Sequence, residues 1–201
     1  MRWSIVTALI GATFFLASAL EYDHDFPARE RTLSAHAADS LASVAAFMDV
    51  YRVLMSPRCV NCHPAGDVPL QGDDSHPHAM FPQRGKDGKG LYAMKCANCH
   101  QFENAEGLHT PPGNPNWHLP PADMKMVFEG RTPHELAAQL VDPERNGHKS
   151  KQELLEHAHD DLVKWGWEPG GERTPPPLSH AEFVAAWTTW IEKGAYAPQP
   201  E

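Results

Sequence analysis

Apolar residues return at intervals of three and four along five stretches of the chain, the spacing of helices that bury one face. In the first, Leu41, Val44, Ala45, Met48, Tyr51, Leu54 and Met55 share a face. They predict a helix from about residue 39 that stops near Pro57, because proline disfavours helical geometry in the residue before it. Leu91 to Cys99 reads as a second, short helix. Three more share one start signal, a Ser or Thr cap followed three residues later by Glu. Thr132-Pro133-His134-Glu135 leads into Leu136, Leu140 and Val141. Ser150-Lys151-Gln152-Glu153 leads into Leu154, Leu155, Ala158, Leu162 and Trp165. Ser179-His180-Ala181-Glu182 leads into Phe183, Ala186, Trp187, Trp190 and Ile191. No alternation of apolar and polar residues runs long enough for a sheet. The predicted class is all-α with long loops at 64–90 and 104–123, and loops of that length need a task of their own.

The amino terminus changes the picture of where such a chain works. Arg2, the apolar run Ile5 to Leu16 and the small residues Ala17-Ser18-Ala19 read as a secretory signal over residues 1–19, cut before Leu20. An uncleaved anchor is the other reading of that segment. The run is shorter than the ~20 apolar residues of a membrane span, and no second stretch approaches that length. The mature chain is therefore expected to be periplasmic, with no stable membrane span. Residues 20–38, polar and alanine-rich, predict a flexible lead-in, and 39–197 a single domain. A formal charge of -9 argues against nucleic acid as a partner. It fits either a partner with a basic docking face or simple solubility.

All four cysteines fall in two strings of one form, Cys59-Val60-Asn61-Cys62-His63 and Cys96-Ala97-Asn98-Cys99-His100. In an exported chain four cysteines first suggest two disulfides. The equal spacing and the histidine directly after each pair point instead to two covalently bound haems c. Two thiols add to the vinyl groups of one haem, and the next residue places its imidazole on the iron. A zinc ribbon has similar cysteine spacing but leaves both histidines without a role. A thioredoxin-like redox pair would need a βαβ context that is missing. Two haems would also act as core and staple for a chain with loops this long. Cys59, Cys62, His63, Cys96, Cys99 and His100 are the expected cofactor-binding residues, with His63 and His100 on the metal.

The second motif resembles a class I cytochrome c. Gly88-Lys89-Gly90-Leu91-Tyr92-Ala93-Met94-Lys95-Cys96 follows that family's amino-terminal helix, and the helix with Phe183, Trp187 and Trp190 is similar to the one that packs across it. Met126-Val127-Phe128-Glu129-Gly130 resembles the family's methionine-ligand loop, although it begins soon after His100, so that methionine could serve the first haem instead. Over residues 58 to 197 the chain is similar to small bacterial dihaem cytochromes, some labelled as subunits of isoquinoline 1-oxidoreductase. That likeness rests on Cys59 to Asp67, Pro77-His78, Arg84-Gly85, Trp117-His118-Leu119-Pro120, Asp142-Pro143, Asn146-Gly147 and Leu162 to Gly170.

The second axial ligand of each iron decides what it can do: methionine raises the potential, histidine gives a lower one, an open position admits a ligand. His78, between the two motifs and within reach of either, is the first choice, with His76 as its neighbour. Met126 is the methionine choice and Met124 its alternative. His118 and His157 are in reserve. Trp165, Trp167 and Trp187 are expected to pack in the core or against a haem. The expected function is electron transfer between a donor oxidoreductase and a downstream acceptor, not catalysis. A peroxidase-like haem enzyme or a gas-binding module, each with an open iron, are the alternatives.

Overall fold

The computed structural model describes residues 28–200; the expected export signal, its cleavage point and residues 20–27 of the lead-in lie outside them. Helices α1 (Ala28–Leu54), α2 (Pro57–Val60), α3 (Pro133–Leu140), α4 (Lys151–His157), α5 (Asp161–Lys164) and α6 (His180–Glu192) carry nearly all the regular structure. A single hairpin pairs β1 (Leu70–Gln71) with β2 (His76–Pro77). The described residues are thus mostly helical. None of their helices is long and apolar enough to cross a membrane.

Helix α1 begins well inside the expected lead-in. Residues 28–56 hold no glycine and their first proline-free turns are rich in alanine, the best helix former. The side chains of residues 30–38 are nonetheless exposed. The buried face of α1 also differs from the expected one. Leu41 is 73% and Met48 39% exposed, whereas Ser43, Phe47 and Val50 are at 0%. Two helical stripes run side by side here, and α6 selects the one that accepts its tryptophan. The Phe47 and Trp190 rings lie 4.8 Å apart. Ser43 Oγ donates to the Trp190 carbonyl at 2.9 Å and accepts from Tyr196 N–H at 3.0 Å. Leu136, Ala137 and Leu140 of α3 and Leu154 of α4 complete this core, and Trp187 Nε1 donates to the Leu154 carbonyl at 2.8 Å.

All three expected capping boxes form, at Thr132/Glu135, Ser150/Glu153 and Ser179/Glu182. The middle helix is shorter than its apolar pattern. It stops at His157 and resumes as α5 after Asp160, in a His-Asp-Asp stretch of poor helix formers. In each box the glutamate is held below its ordinary value, mainly by bonds from the cap residue's backbone N–H at 135 and 153 and from the Ser179 hydroxyl at 182. A depressed folded-state value contributes stability above the unfolded-state value, and that contribution is lost as pH falls. Below pH 4.5, the ordinary glutamate value, helical circular dichroism should therefore decline. A triple Glu→Gln variant at 135, 153 and 182 should show a smaller decline, and equal titrations would remove the caps as its cause.

Between α2 and α3 the chain leaves the core as a long excursion. It departs at His63 and returns at Met126 to Phe128: Phe128 N–H donates to the His63 carbonyl at 2.9 Å, and Ala65 N–H to Glu129 Oε2 at 2.7 Å. Arg84, fully buried, holds the excursion together. Its Nη1 donates to the Pro120 carbonyl at 2.7 Å, its Nη2 to the Gly66 carbonyl at 3.0 Å, and its guanidinium faces Asp67. Of residues 64–125, only Leu70 packs against the main core cluster.

Candidate functional site

Each Cys-x-x-Cys-His string closes one helical turn. His63 N–H donates to the Cys59 and Val60 carbonyls at 3.2 and 2.9 Å, and His100 N–H to the Cys96 carbonyl at 2.9 Å. Positions i, i+3 and i+4 of a turn are neighbours, so the two cysteines and the histidine of each motif leave adjacent points of the chain. The first motif sits on α2, with Pro57 at the first helical position.

The second motif forms only a 3₁₀ turn, Cys96–Asn98. The helix expected over Leu91 to Cys99 is absent. Gly88 and Gly90 have φ of 74° and 87°, outside the helical region, and a Cβ on Gly88 would collide with the Leu119 carbonyl. Tyr92 also has positive φ and is 90% exposed, so this segment has no apolar face to bury. The helix crossing α6 is instead α1, ahead of the first motif. The packing of the segment before Cys96 across α6, expected from the resemblance, therefore does not form.

The two histidines are seated alike. His63 Nδ1 meets the Met126 carbonyl at 2.7 Å, and His100 Nδ1 meets the Pro112 carbonyl at 2.7 Å. A carbonyl only accepts, so in each ring Nδ1 carries the hydrogen and Nε2 the lone pair. The face of each ring is covered by an aromatic from farther along the chain. His63 stacks on Phe128 at 3.9 Å and 8°, His100 on Trp117 at 4.4 Å and 10°. Trp165 then backs Trp117 edge-on at 4.8 Å, with its Nε1 on Asn104 Oδ1 at 3.0 Å. Trp167 and Trp187 belong to the core side. Burial holds the His63 imidazole down at about 4, against the raising effect of its bond to Met126, and it also lowers His100. Both rings are neutral at neutral pH, the form that binds a metal.

A cavity of about 710 Å³ opens between the two motifs, within the range of cofactor sites. Cys62, Cys96, Cys99, His100, Trp117 and His78 are on its wall. Cys59 and His63 lie behind it: Cys59 packs against the core cluster, and its thiol takes a bond from Ser56 Oγ at 3.9 Å. Burial pushes the Cys59 thiol up to about 12 and the Cys62 thiol up to about 11, so neither is a ready thiolate nucleophile. Cys96 is close enough to Cys62 for its charge to act on it. Cys62 of the first motif and Cys96, Cys99 and His100 of the second thus line one space.

The candidate second ligands separate clearly. The His78 ring lies 6.3 Å from that of His100. His76 has both ring nitrogens engaged in the hairpin, at 2.6 Å to Asp74 and 3.0 Å to Gln71. Met126, the methionine choice, is put to another use. Its carbonyl binds His63 on the Nδ1 edge, away from Nε2, and its side chain packs against the core rather than on the cavity wall. Met124 is not on that wall either. His118 is on it, with Nδ1 bonded to the Asn116 carbonyl, and His157 pairs with Asp160 at 2.7 Å. Sequence reasoning found the thiols and imidazoles but not the carbonyls of Met126 and Pro112, nor Phe128 and Trp117 as ring supports. A backbone carbonyl carries no sequence mark; the aromatics Trp117 and Phe128, both downstream of the second motif, were the available signal.

Comparison with family models, with curated proteins and with solved structures returned no match.

Proposed function

We propose that the protein is an exported c-type cytochrome that holds two haems covalently and passes single electrons between a donor oxidoreductase and an acceptor. The observation that carries this reading is the matched seating of His63 and His100, each with Nδ1 at 2.7 Å from a backbone carbonyl and its face on an aromatic ring. Metal-binding histidines are oriented in this way by the partner of their second nitrogen.

Haem supplies reversible one-electron chemistry when bound. The chain's own part is to bind and orient it. Cys59 with Cys62, and Cys96 with Cys99, offer the thiols for attachment. His63 and His100 offer Nε2 to the iron, and Phe128 and Trp117 fix the ring planes. The charge of -9 suits a partner with a basic face. The reading is tested by producing the full chain with an export and haem-maturation system. Intact mass and a reduced pyridine haemochrome spectrum should give two haems per chain. Haem-free protein that binds stoichiometric zinc would overturn the reading.

A further inference from the structure

The hairpin in the excursion holds one histidine in an unusual relation to the second motif. His78 follows β2 directly, and its N–H donates to the Pro69 carbonyl at 2.9 Å, extending the pairing. The hairpin tip is tied to the first motif. Arg58 and Asn61 both donate to the Gly72 carbonyl, at 3.1 and 2.9 Å, and Arg58 also pairs with Asp73 at 2.6 Å. His78 is thereby held over the cavity on the side facing His100.

The ring spacing is informative. A metal–imidazole bond is about 2 Å, and the bonding nitrogen lies about 1 Å from the ring centre, so two histidines on opposite sides of one metal have centroids about 6 Å apart. His78 and His100 are 6.3 Å apart at 67°. The other edge-on ring pairs among the described residues close to 4.8, 5.8 and 4.7 Å, so His78 stands off from His100 farther than any of them. The His100 Nδ1 is committed to Pro112, which leaves Nε2 for the cavity. The His78 ring makes one long bond, from Met80 N–H to Nδ1 at 3.4 Å, so its Nε2 is uncommitted. Met126 has no comparable place at His63, because it occupies the edge of that ring opposite Nε2.

We propose that His78 is the second axial ligand of the iron bound by His100, making this haem bis-histidine and setting it apart from the haem on His63. The proposal rests on the dihaem reading, and the experiment separates the two. Wild type, His78→Ala, His78→Met and, as a control, His76→Ala are matured in the periplasm, and haem content is measured first. The electron paramagnetic resonance of the oxidised proteins is then recorded. In His78→Ala one low-spin signal should be replaced by a high-spin one, and added imidazole should restore it; His76→Ala should match wild type. Should His78→Ala fail to mature, His78→Met is decisive, since a methionine–iron charge-transfer band should appear. Two haems with a low-spin spectrum unchanged in His78→Ala, or in His78→Met where only that variant matures, would overturn the ligand assignment and leave the dihaem reading standing. Wild type without haem would overturn both.

Discussion

Replacing Cys96 and Cys99 together by alanine is expected to give a one-haem protein whose helical core still melts cooperatively, while replacing Cys59 and Cys62 should leave a much weaker fold. The reason lies in where each motif is anchored. Val60 and Cys59 belong to or pack against the core built by α1, α3, α4 and α6, and His63 holds the return of the excursion through both its ring and its carbonyl. The second motif is held by the excursion and by the segment 161–173, through Trp165, Glu168 and Arg173, and these ties do not reach the core cluster. On the proposed dihaem reading each haem would be a large apolar plate, so losing the one attached at Cys59 and Cys62 should cost far more. We expect the first-site variant to melt roughly 10 °C below the second-site variant, corresponding to ~3–4 kcal/mol at this chain length. Thermal unfolding followed by circular dichroism reads the difference, and equal melting temperatures would show that the two sites support the fold alike.

The largest single-residue effect is expected at Trp190. It is fully buried, its ring lies 4.8 Å from Phe47 and 5.1 Å from Trp187, and its Nε1 donates to the Tyr196 carbonyl at 3.1 Å. Trp190→Ala should cost about 3–5 kcal/mol, the usual range for an aromatic removed from a core. That is a large share of the ~5–15 kcal/mol that holds a typical domain folded. Leu41→Ala, on the stripe that the apolar spacing alone would bury, should change stability by less than about 0.5 kcal/mol. Denaturant midpoints measure both, and comparable losses at the two positions would mean that α1 presents a different face to α6.

These two positions show what was legible in the sequence. Helix starts were, because a capping box writes both partners into the chain three residues apart, and all three formed. The face of α1 was not. Leu41 and Met48 compete with Ser43, Phe47 and Val50 on neighbouring stripes, and only the arrival of Trp190 decides between them. The expected helix before Cys96 fails for a related reason. Gly88, Gly90 and Tyr92 all take positive φ, and Gly88 does so where it meets the loop at Leu119, a partner that local spacing cannot reveal. In the candidate site, the two Cys-x-x-Cys-His strings could be read from their spacing; His78 stood out as a candidate between them, but which motif its ring faces could not be read. Met126 drew attention for its side chain, yet the structure uses its carbonyl on His63. Which atom of a residue does the work depends on geometry that its type does not disclose.

The two histidine seats differ in one respect with a bearing on timing. His100 finds its carbonyl 12 residues away, whereas His63 finds its own 63 residues away. Closing the longer loop costs about 1.5 kcal/mol more in chain entropy, and it cannot begin until the chain has emerged past Phe128. A polypeptide that appears amino terminus first therefore presents the earlier motif half-made, and completes the seat of the later one while the earlier still waits for its carbonyl. The order in which the seats mature is the reverse of the order in which their cysteines are written.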